Sequence, residues 1–273
     1  MRPSPLDTCL EMACITDIGR VRRRNEDVVH ADAGRGIALL ADGMGGYAGG
    51  DLAARMAVEG LAAGLARRLA TAKPHALDAS GQPNALTGLE EEIGRANLDI
   101  YRAACAQPAY RGMGTTLVAT WFYNDSATVA HVGDSRCYRF RHGVLQLLTR
   151  DHSVLQEQLD RGMIGLEEMA SQIRRGIVTR AVGVMPRVDV DVRTFDCLPG
   201  DLFLLVSDGL TDMVQDDVLF RRLVAGWDSL ERLVADLVAL ANEQGGQDNI
   251  SVVAVAVRAP FPARVRGRFG GWW

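Results

Sequence analysis

Apolar residues recur along this chain with two periods, one typical of strands and one typical of helices. The apolar run from Ile37 to Ala41 follows a glycine and ends at an aspartate, which predicts a short buried strand. Apolar positions at helical spacing predict an amphipathic helix from Gly49 to Leu69 and a second helix from Gly88 to Ala104. The proline- and glycine-containing residues 71–87 predict the loop that joins these helices.

After residue 112 the apolar pattern becomes that of a sheet. Residues 112–153 predict a meander of three or four strands with turns at Asn124-Asp125 and His142-Gly143. We expect the sheet to resume at Ile177 with the strand VTRAVGV, and then to include DVRTFDC, LFLLVS and, after two helices near 216–225 and 228–243, NISVVAVAV. Helices grouped between runs of antiparallel strands favour a layered α+β fold over a doubly wound sheet.

Two segments depart from this pattern. Residues 151–176 have mixed polarity and predict a short helix plus a mobile flap that borders the cleft and gates access or selects substrates; a plain surface excursion explains the pattern equally well. Residues 258–273 are basic and aromatic, with prolines and glycines that predict a flexible tail, although contact with an acidic partner or a membrane surface is an alternative.

Composition narrows the class of protein. The 273 residues carry a net charge of -4, which argues against general nucleic-acid binding. We find no apolar run long enough to cross a membrane and no signal-peptide core at the amino terminus, so we expect a cytoplasmic protein. The five cysteines are scattered, without the spacing of a zinc site or a disulfide framework. His131 lies inside a predicted strand and is interpreted as a packed histidine rather than a metal ligand.

Aspartates stand at the ends of several predicted strands. Asp42, Asp134 and Asp208 each follow an apolar run, and Asp248 comes just before the last strand. Neighbouring antiparallel strands share an edge, so these carboxylates can converge there. Two carboxylates ~5 Å apart repel each other by roughly 3 kcal/mol at an effective dielectric constant near 20, and hard divalent cations would relieve the repulsion.

A cluster of arginines precedes an acidic pair near the second strand. A solvated basic turn is the simple interpretation of Arg22, Arg23 and Arg24. Glu26 and Asp27 follow them, immediately before a strand that lies beside the strand of Asp42. A guanidinium offers paired donors to a phosphate, and carboxylates can hold metal-bound waters, so this stretch also fits a phosphate site.

Seven ordered blocks carry a family resemblance that spans Thr16 to Val257. They are VRRRNED, LLADGMGG, GMGTTLVA, HVGDSRCY, LTRDHS, LFLLVSDGLTD and GGQDNISVVAV. In this order they resemble the metal-dependent protein phosphatase family of the 2C type, in its bacterial form. The resemblance implies a four-layer αββα sandwich over residues 10–257, with two central antiparallel sheets flanked by helices and a cleft that holds two Mn²⁺ or Mg²⁺ ions.

The resemblance also assigns roles to single residues. Asp42 corresponds to the carboxylate that bridges both ions, the Gly43 carbonyl to a ligand of one ion, and Asp208 and Asp248 to ligands of the other. The remaining assignments are Glu26 and Asp27 as acidic residues acting partly through water, Asp134 with Asp208 as the site of a third, weaker ion, and Arg22 as the group that binds substrate phosphate. Water bridging the two cations would attack phosphorus directly, without a phosphoenzyme.

One position departs from part of the family. Many eukaryotic members have histidine where this chain has Met44, as bacterial members commonly do. A thioether cannot donate a proton, so the acid that protonates the leaving alkoxide must lie elsewhere, and we hypothesise a metal-bound water near Asp134.

The predicted function is hydrolysis of phosphoserine and phosphothreonine in proteins. The alternatives are a catalytically silent binding module with the same fold and a hydrolase of small phosphate metabolites. Expected partners are phosphorylated proteins, with the enzyme opposing a bacterial Ser/Thr kinase as a monomer.

Overall fold

The computed structural model describes residues 5–45, 49–165 and 177–261, which form two antiparallel sheets packed face to face. Its strands in chain order are β1 (Leu10–Asp17), β2 (Asp27–Asp32), β3 (Ile37–Met44), β4 (Gly114–Thr115), β5 (Leu117–Tyr123), β6 (Ser126–Val132), β7 (Arg136–Arg141), β8 (Val144–Leu147), β9 (Asp191–Asp196), β10 (Leu202–Val206) and β11 (Ile250–Val257). One sheet has the order β1-β11-β10-β7-β8; the other has the order β2-β3-β5-β6-β9, with β4 beside β3.

Helices cover the outer face of each sheet. They are α1 (Gly50–Thr71), α2 (Asn84–Ala106), α3 (Val154–Asp160), α4 (Asp208–Thr211), α5 (Asp216–Val224) and α6 (Leu230–Glu243), with short 3-10 turns at Pro5–Thr8 and Pro108–Tyr110. Apolar residues of α1 and α2 pack on the sheet that contains β3, and those of α5 and α6 pack on the sheet that contains β11. The predicted four-layer αββα sandwich is confirmed.

The alternation of side chains along the central strands explains the layering. In β3, Leu39 packs toward the helices, whereas Leu40 packs into the interface between the sheets. Strands buried on both faces therefore read as continuous apolar runs. Phe122 and Phe203 meet edge to face across the two sheets, with ring centroids 5.1 Å apart and planes at 81°. Such a pair adds about 0.5–1.5 kcal/mol to the apolar burial.

One predicted strand and one predicted helix start differ from the structure. The predicted strand VTRAVGV is wrong, because residues 177–183 make only isolated bridges, Ser153 with Val178 and Thr115 with Val182. The backbone of this segment changes partner from His152 to Thr115 within a few residues, so no ladder can form. Helix α2 begins at Asn84 rather than at Gly88.

Residues 258–261 of the predicted tail pack on the sandwich. Phe261 is only 4% exposed and belongs to the cluster between the sheets. Its N–H donates to Asp125 Oδ1 at 3.1 Å, and Arg258 pairs with Glu11 at 2.6 Å. The rest of the tail and residues 166–176 of the predicted flap lie outside the described residues. Among the helices that the structure describes, none has the length and apolar character needed to span a bilayer.

Candidate active site

One side of the cleft is the end of the β2–β3 pair. Asp27, the first residue of β2, stands directly opposite Asp42 of β3. The backbone of Asp42 is held on both sides: its N–H donates to Thr116 Oγ1 at 3.1 Å, and its carbonyl accepts from Thr115 Oγ1 at 2.8 Å. These bonds fix the backbone that carries the Asp42 carboxylate.

The other sheet supplies two more aspartates. Asp208 opens α4, separated by one residue from the end of β10, and Asp248 comes just before β11, the antiparallel neighbour of β10. The end of one strand therefore lies beside the start of the other. A Cβ on Gly209 would lie 1.9 Å from the carbonyl oxygen of Asn249, so only glycine lets these segments approach so closely.

Asp134 completes the acidic cluster. It follows β6 through Gly133, whose φ of 106° lies in a region that favours glycine, and its side chain is buried. The charges of Asp27, Asp208 and Asp134 all raise the pKa of Asp42, and the charges of Asp134 and Asp248 raise the pKa of Asp208. The predicted convergence of strand-end carboxylates is thus present in the structure.

Burial is the main cause of the raised pKa values in this cluster. It raises the pKa of Asp27 to about 6, with a further contribution from the charge of Asp248. It also raises the pKa of Asp134 to about 7, assisted by the charge of Asp151. For Asp42 and Asp208, burial and then the neighbouring carboxylates raise the pKa well above the usual range of an aspartate. The site therefore disfavours its own negative charge in the absence of a cation.

The donor set fits divalent cations. Within the described part of the chain, both carboxylate oxygens of Asp27 and Oδ1 of Asp208 are buried without a hydrogen-bond partner. A buried acceptor without a partner costs about 1–3 kcal/mol, and more when it is charged. Mn²⁺ and Mg²⁺ prefer oxygen ligands, carboxylates above all, so a cation would both satisfy these atoms and offset their charge.

Arg22 lies at the edge of the acidic cluster. Its Nη2 donates to Asp248 Oδ2 at 2.6 Å, while the side chain stays 44% exposed. This hydrogen bond raises the pKa of Arg22, and the charges of Asp248, Asp208 and Asp42 add to the effect. A permanently charged guanidinium with exposed donors beside the cluster is suited to a phosphate.

Glu26 and Gly43 lie where the β2–β3 pair meets α1. The N–H of Gly43 donates to the carbonyl of Glu26 at 3.2 Å. A Cβ on Gly50 would lie 2.9 Å from the carboxyl carbon of Glu26, so this side chain rests against the start of α1. Burial, followed by the charge of Asp51, raises the pKa of Glu26. All eight predicted site residues thus line one region.

Sequence and structure comparisons identify the family. The profile described as Protein phosphatase 2C matches residues 20–250, most of the chain. The chain belongs to the protein phosphatase 2C family. It is 36% identical to the serine/threonine phosphatase stp of Listeria welshimeri over 243 residues, which cover 88% of this chain and 93% of that protein.

Solved structures of the family agree with this assignment. The Mycobacterium tuberculosis serine/threonine phosphatase PstP/Ppp superimposes with a TM-score of 0.82 at 33% identity, covering 92% of this chain and 99% of that one. A structure of the PstP catalytic domain in complex with 2 manganese ions gives a TM-score of 0.78 at 32% identity, covering 92% and 99% of the two chains. The family predicted from the ordered motifs is confirmed.

In this protein phosphatase 2C, Asn249 is a site residue that the sequence reasoning missed. Its buried amide accepts from the Glu26 N–H at 2.9 Å and donates to the carbonyls of Ile18 and Arg24 at 3.0 and 2.9 Å. Its sequence signals were its place in the block GGQDNISVVAV and its position next to Asp248 in a polar stretch before an apolar strand.

Met44 offers this protein phosphatase 2C no proton. It pairs with Gly114 at the end of β3, and its thioether sulfur carries no hydrogen. The hypothesised alternative is a metal-bound water near Asp134, on the acidic side of the site.

A second cluster of possible metal ligands lies outside the acidic site. His131, His152 and Asp191 have ligand atoms within 4.8 Å of one another. However, His152 Nδ1 accepts from the Gly133 N–H at 3.1 Å, which leaves the proton on Nε2, 3.4 Å from Asp191. His131 Nε2 lies 2.8 Å from the Arg150 carbonyl and the Arg180 guanidinium is 3.2 Å from Asp191. Hydrogen bonds thus account for this cluster, as expected for a packed His131.

Proposed function

We propose that Asp42, Asp208 and Asp248 hold the two divalent cations with which this protein serine/threonine phosphatase hydrolyses phosphoserine and phosphothreonine. The supporting observation is the convergence of buried carboxylates with oxygen atoms that lack hydrogen-bond partners. The cofactors are Mn²⁺ or Mg²⁺, in keeping with the two manganese ions of the PstP structure. The Gly43 carbonyl, beside Asp42, would supply a further oxygen ligand.

The surrounding acidic residues would take supporting roles. Asp27 and Glu26 would act partly through water, and Asp134, next to Asp208, would hold a third and weaker ion. Bound cations supply Lewis acidity and lower the pKa of coordinated water, so that water is a nucleophile near neutral pH.

The chain's own groups would bind and orient the phosphoryl group. Arg22 is held by Asp248 through one nitrogen, and its other N–H groups would donate to the phosphoryl oxygens. Charge that redistributes onto these oxygens in the transition state would strengthen the contact. The leaving alkoxide needs a proton, which Met44 cannot give, and we assign its delivery to the Asp134 side of the site.

The two alternative functions are not favoured. A silent binding module would be expected to have lost part of the acidic set, whereas all of it is present here. The named relatives are protein phosphatases rather than hydrolases of small metabolites. We further propose that the enzyme acts in the cytoplasm as a monomer and opposes a Ser/Thr kinase, by analogy with the family.

Replacing Asp208 with asparagine tests this function. We expect Mn²⁺-dependent hydrolysis of a phosphoserine peptide to fall by about 100-fold or more, because the substitution removes a ligand charge. Circular dichroism should show an intact fold, and calorimetry should show weaker Mn²⁺ binding. Asp228→Asn, at a side chain that is 88% exposed, is the matched control. Substantial Mn²⁺-dependent activity in the Asp208 variant would contradict the assignment.

A further inference from the structure

Asn249 connects the loop of residues 18–26, which is distant in sequence, to the acidic cluster. The residue is 5% exposed, and its side chain lies between residues 18–26, which carry Arg22, and the start of β11. The amide nitrogen donates to the carbonyls of Ile18 and Arg24, and the amide oxygen accepts from the N–H of Glu26. One side chain therefore fixes the loop on both sides of Arg22.

Holding the loop in this way requires a side chain with both donors and an acceptor, which the amide of Asn249 supplies. Both N–H groups of Asn249 and its carbonyl oxygen are used, at 2.9 to 3.0 Å. Aspartate has the same shape but no donors, and an aliphatic side chain has neither donor nor acceptor. Loss of the amide would leave two carbonyls and one N–H of the loop without these partners, at a cost for each buried group.

The same residue is joined to the partner of Arg22. The backbone N–H of Asn249 donates to Asp248 Oδ1 at 2.9 Å, and Arg22 Nη2 donates to Asp248 Oδ2 at 2.6 Å. The Asp248 carboxylate is thus held between Asn249 and Arg22. The position of the guanidinium relative to Asp248 depends on where Asn249 holds the loop.

The stretch that carries Arg22 is exposed between its anchors. Val21 is 65% exposed, and the side chain of Arg22 is 44% exposed. Before this stretch, the Arg20 N–H donates to the Gly246 carbonyl at 2.7 Å. After it, the Arg24 and Glu26 backbone groups are the ones that Asn249 binds. Asn249, which also binds the Ile18 carbonyl, therefore holds the backbone both before and after this stretch.

We propose that Asn249 is a positioning residue that sets the Arg22 guanidinium for substrate phosphate. This inference rests on the proposed function, which assigns phosphate binding to Arg22. Asn249 does not touch the substrate; it acts through Arg22 and the loop 18–26. Its removal should impair phosphate binding more than turnover, because the ligand aspartates remain in place.

A double-mutant cycle between Asn249→Ala and Arg22→Ala tests the inference. Asn249→Ala should raise the KM for a phosphoserine peptide by about 10-fold with a smaller change in kcat, as for residues that orient a functional group. Because Asn249 acts through Arg22, the double variant should have nearly the kcat/KM of Arg22→Ala alone. Inorganic phosphate, used as a competitive inhibitor, should lose affinity in the same pattern.

Asn97→Ala is the matched control. Asn97 is also a buried asparagine whose amide joins distant backbone groups, accepting from the Gly183 N–H at 2.7 Å and donating to the Met185 carbonyl at 3.0 Å. Its effect on kcat/KM should multiply with that of Arg22→Ala, as expected for independent sites. Hydrogen exchange should increase at the Glu26 amide in the Asn249 variant but not in the Asn97 variant.

The outcomes separate this inference from the proposed function. If the wild-type protein shows no Mn²⁺-dependent hydrolysis of the peptide, the proposed function fails. If the wild-type protein is active but Asn249→Ala multiplies with Arg22→Ala, or leaves KM unchanged, the positioning role is refuted. Should Asn249→Ala not fold, Asn249→Ser, which is neutral and too short to make all three hydrogen bonds, replaces it in the same cycle.

Discussion

Replacing Asp27 with asparagine should stabilise the metal-free protein at neutral and alkaline pH. Asp27 is 6% exposed and neither of its carboxylate oxygens has a hydrogen-bond partner among the described residues. Burial, together with the charge of Asp248, raises its pKa from 3.8 to about 6. At about 1.4 kcal/mol for each pKa unit, ionising this group costs the folded state about 3 kcal/mol.

The sign follows from the direction of the pKa change. The folded-state pKa of Asp27 lies above the unfolded value, so its stability contribution is complete below pH 3.8 and is lost as the pH rises through about 6. Asparagine resembles the protonated form and does not lose it. The variant should therefore exceed the metal-free wild type in unfolding free energy by about 1 kcal/mol at about pH 4.5 and by about 3 kcal/mol at about pH 8.

Urea unfolding in the presence of a chelator, followed by tryptophan fluorescence with the buried Trp121 among its reporters, measures this difference. Saturating Mn²⁺ should reverse the order, because the cation stabilises the wild-type carboxylate cluster by binding only the folded state. Asp228→Asn controls for the loss of one negative charge. A difference between variant and wild type that does not change with pH in the metal-free protein would show that Asp27 does not have a raised pKa in the folded state.

Three further predictions concern Arg22, Asp134 and the residues that follow Val257. Arg22→Ala should raise the KM for a phosphoserine peptide by about 10-fold or more, with Arg232→Ala as the exposed control; unchanged KM and kcat would exclude phosphate binding by Arg22. Asp134→Asn should slow hydrolysis of the phosphoserine peptide more than that of nitrophenyl phosphate, whose leaving group needs no proton; equal losses would remove Asp134 from proton delivery. A chain truncated after Val257 should be about 3 kcal/mol less stable in urea than one truncated after Phe261, because the shorter chain lacks the buried Phe261 ring; equal stability would show that this ring contributes nothing.

The acidic residues of the site could be located from the sequence, but the residues that hold them and the neighbouring loop in place could not. Asp42 and Asp208 each end an apolar run, and a strand's end is visible in the sequence because the period and the composition change there. The contacts of Asn249 join residues more than two hundred positions apart, and a local pattern carries no information about them. The irregular segment near Val182 was missed for a similar reason, since its partners Thr115 and His152 come from two different parts of the fold.

The carboxylates of the acidic cluster depend on the packing between the two sheets. Carboxylates gathered in one site repel one another when no cation is present, and this repulsion adds to burial in raising the pKa of Asp42 and of Asp208. The sandwich is the structure that holds them together, because the Leu40 and Phe203 layer between the sheets keeps the two strand ends at a fixed separation. The packing between the sheets must therefore offset the electrostatic repulsion among these carboxylates, and a weaker core should lower the affinity for metal. Core substitutions between the sheets should weaken Mn²⁺ binding even where no ligand is changed.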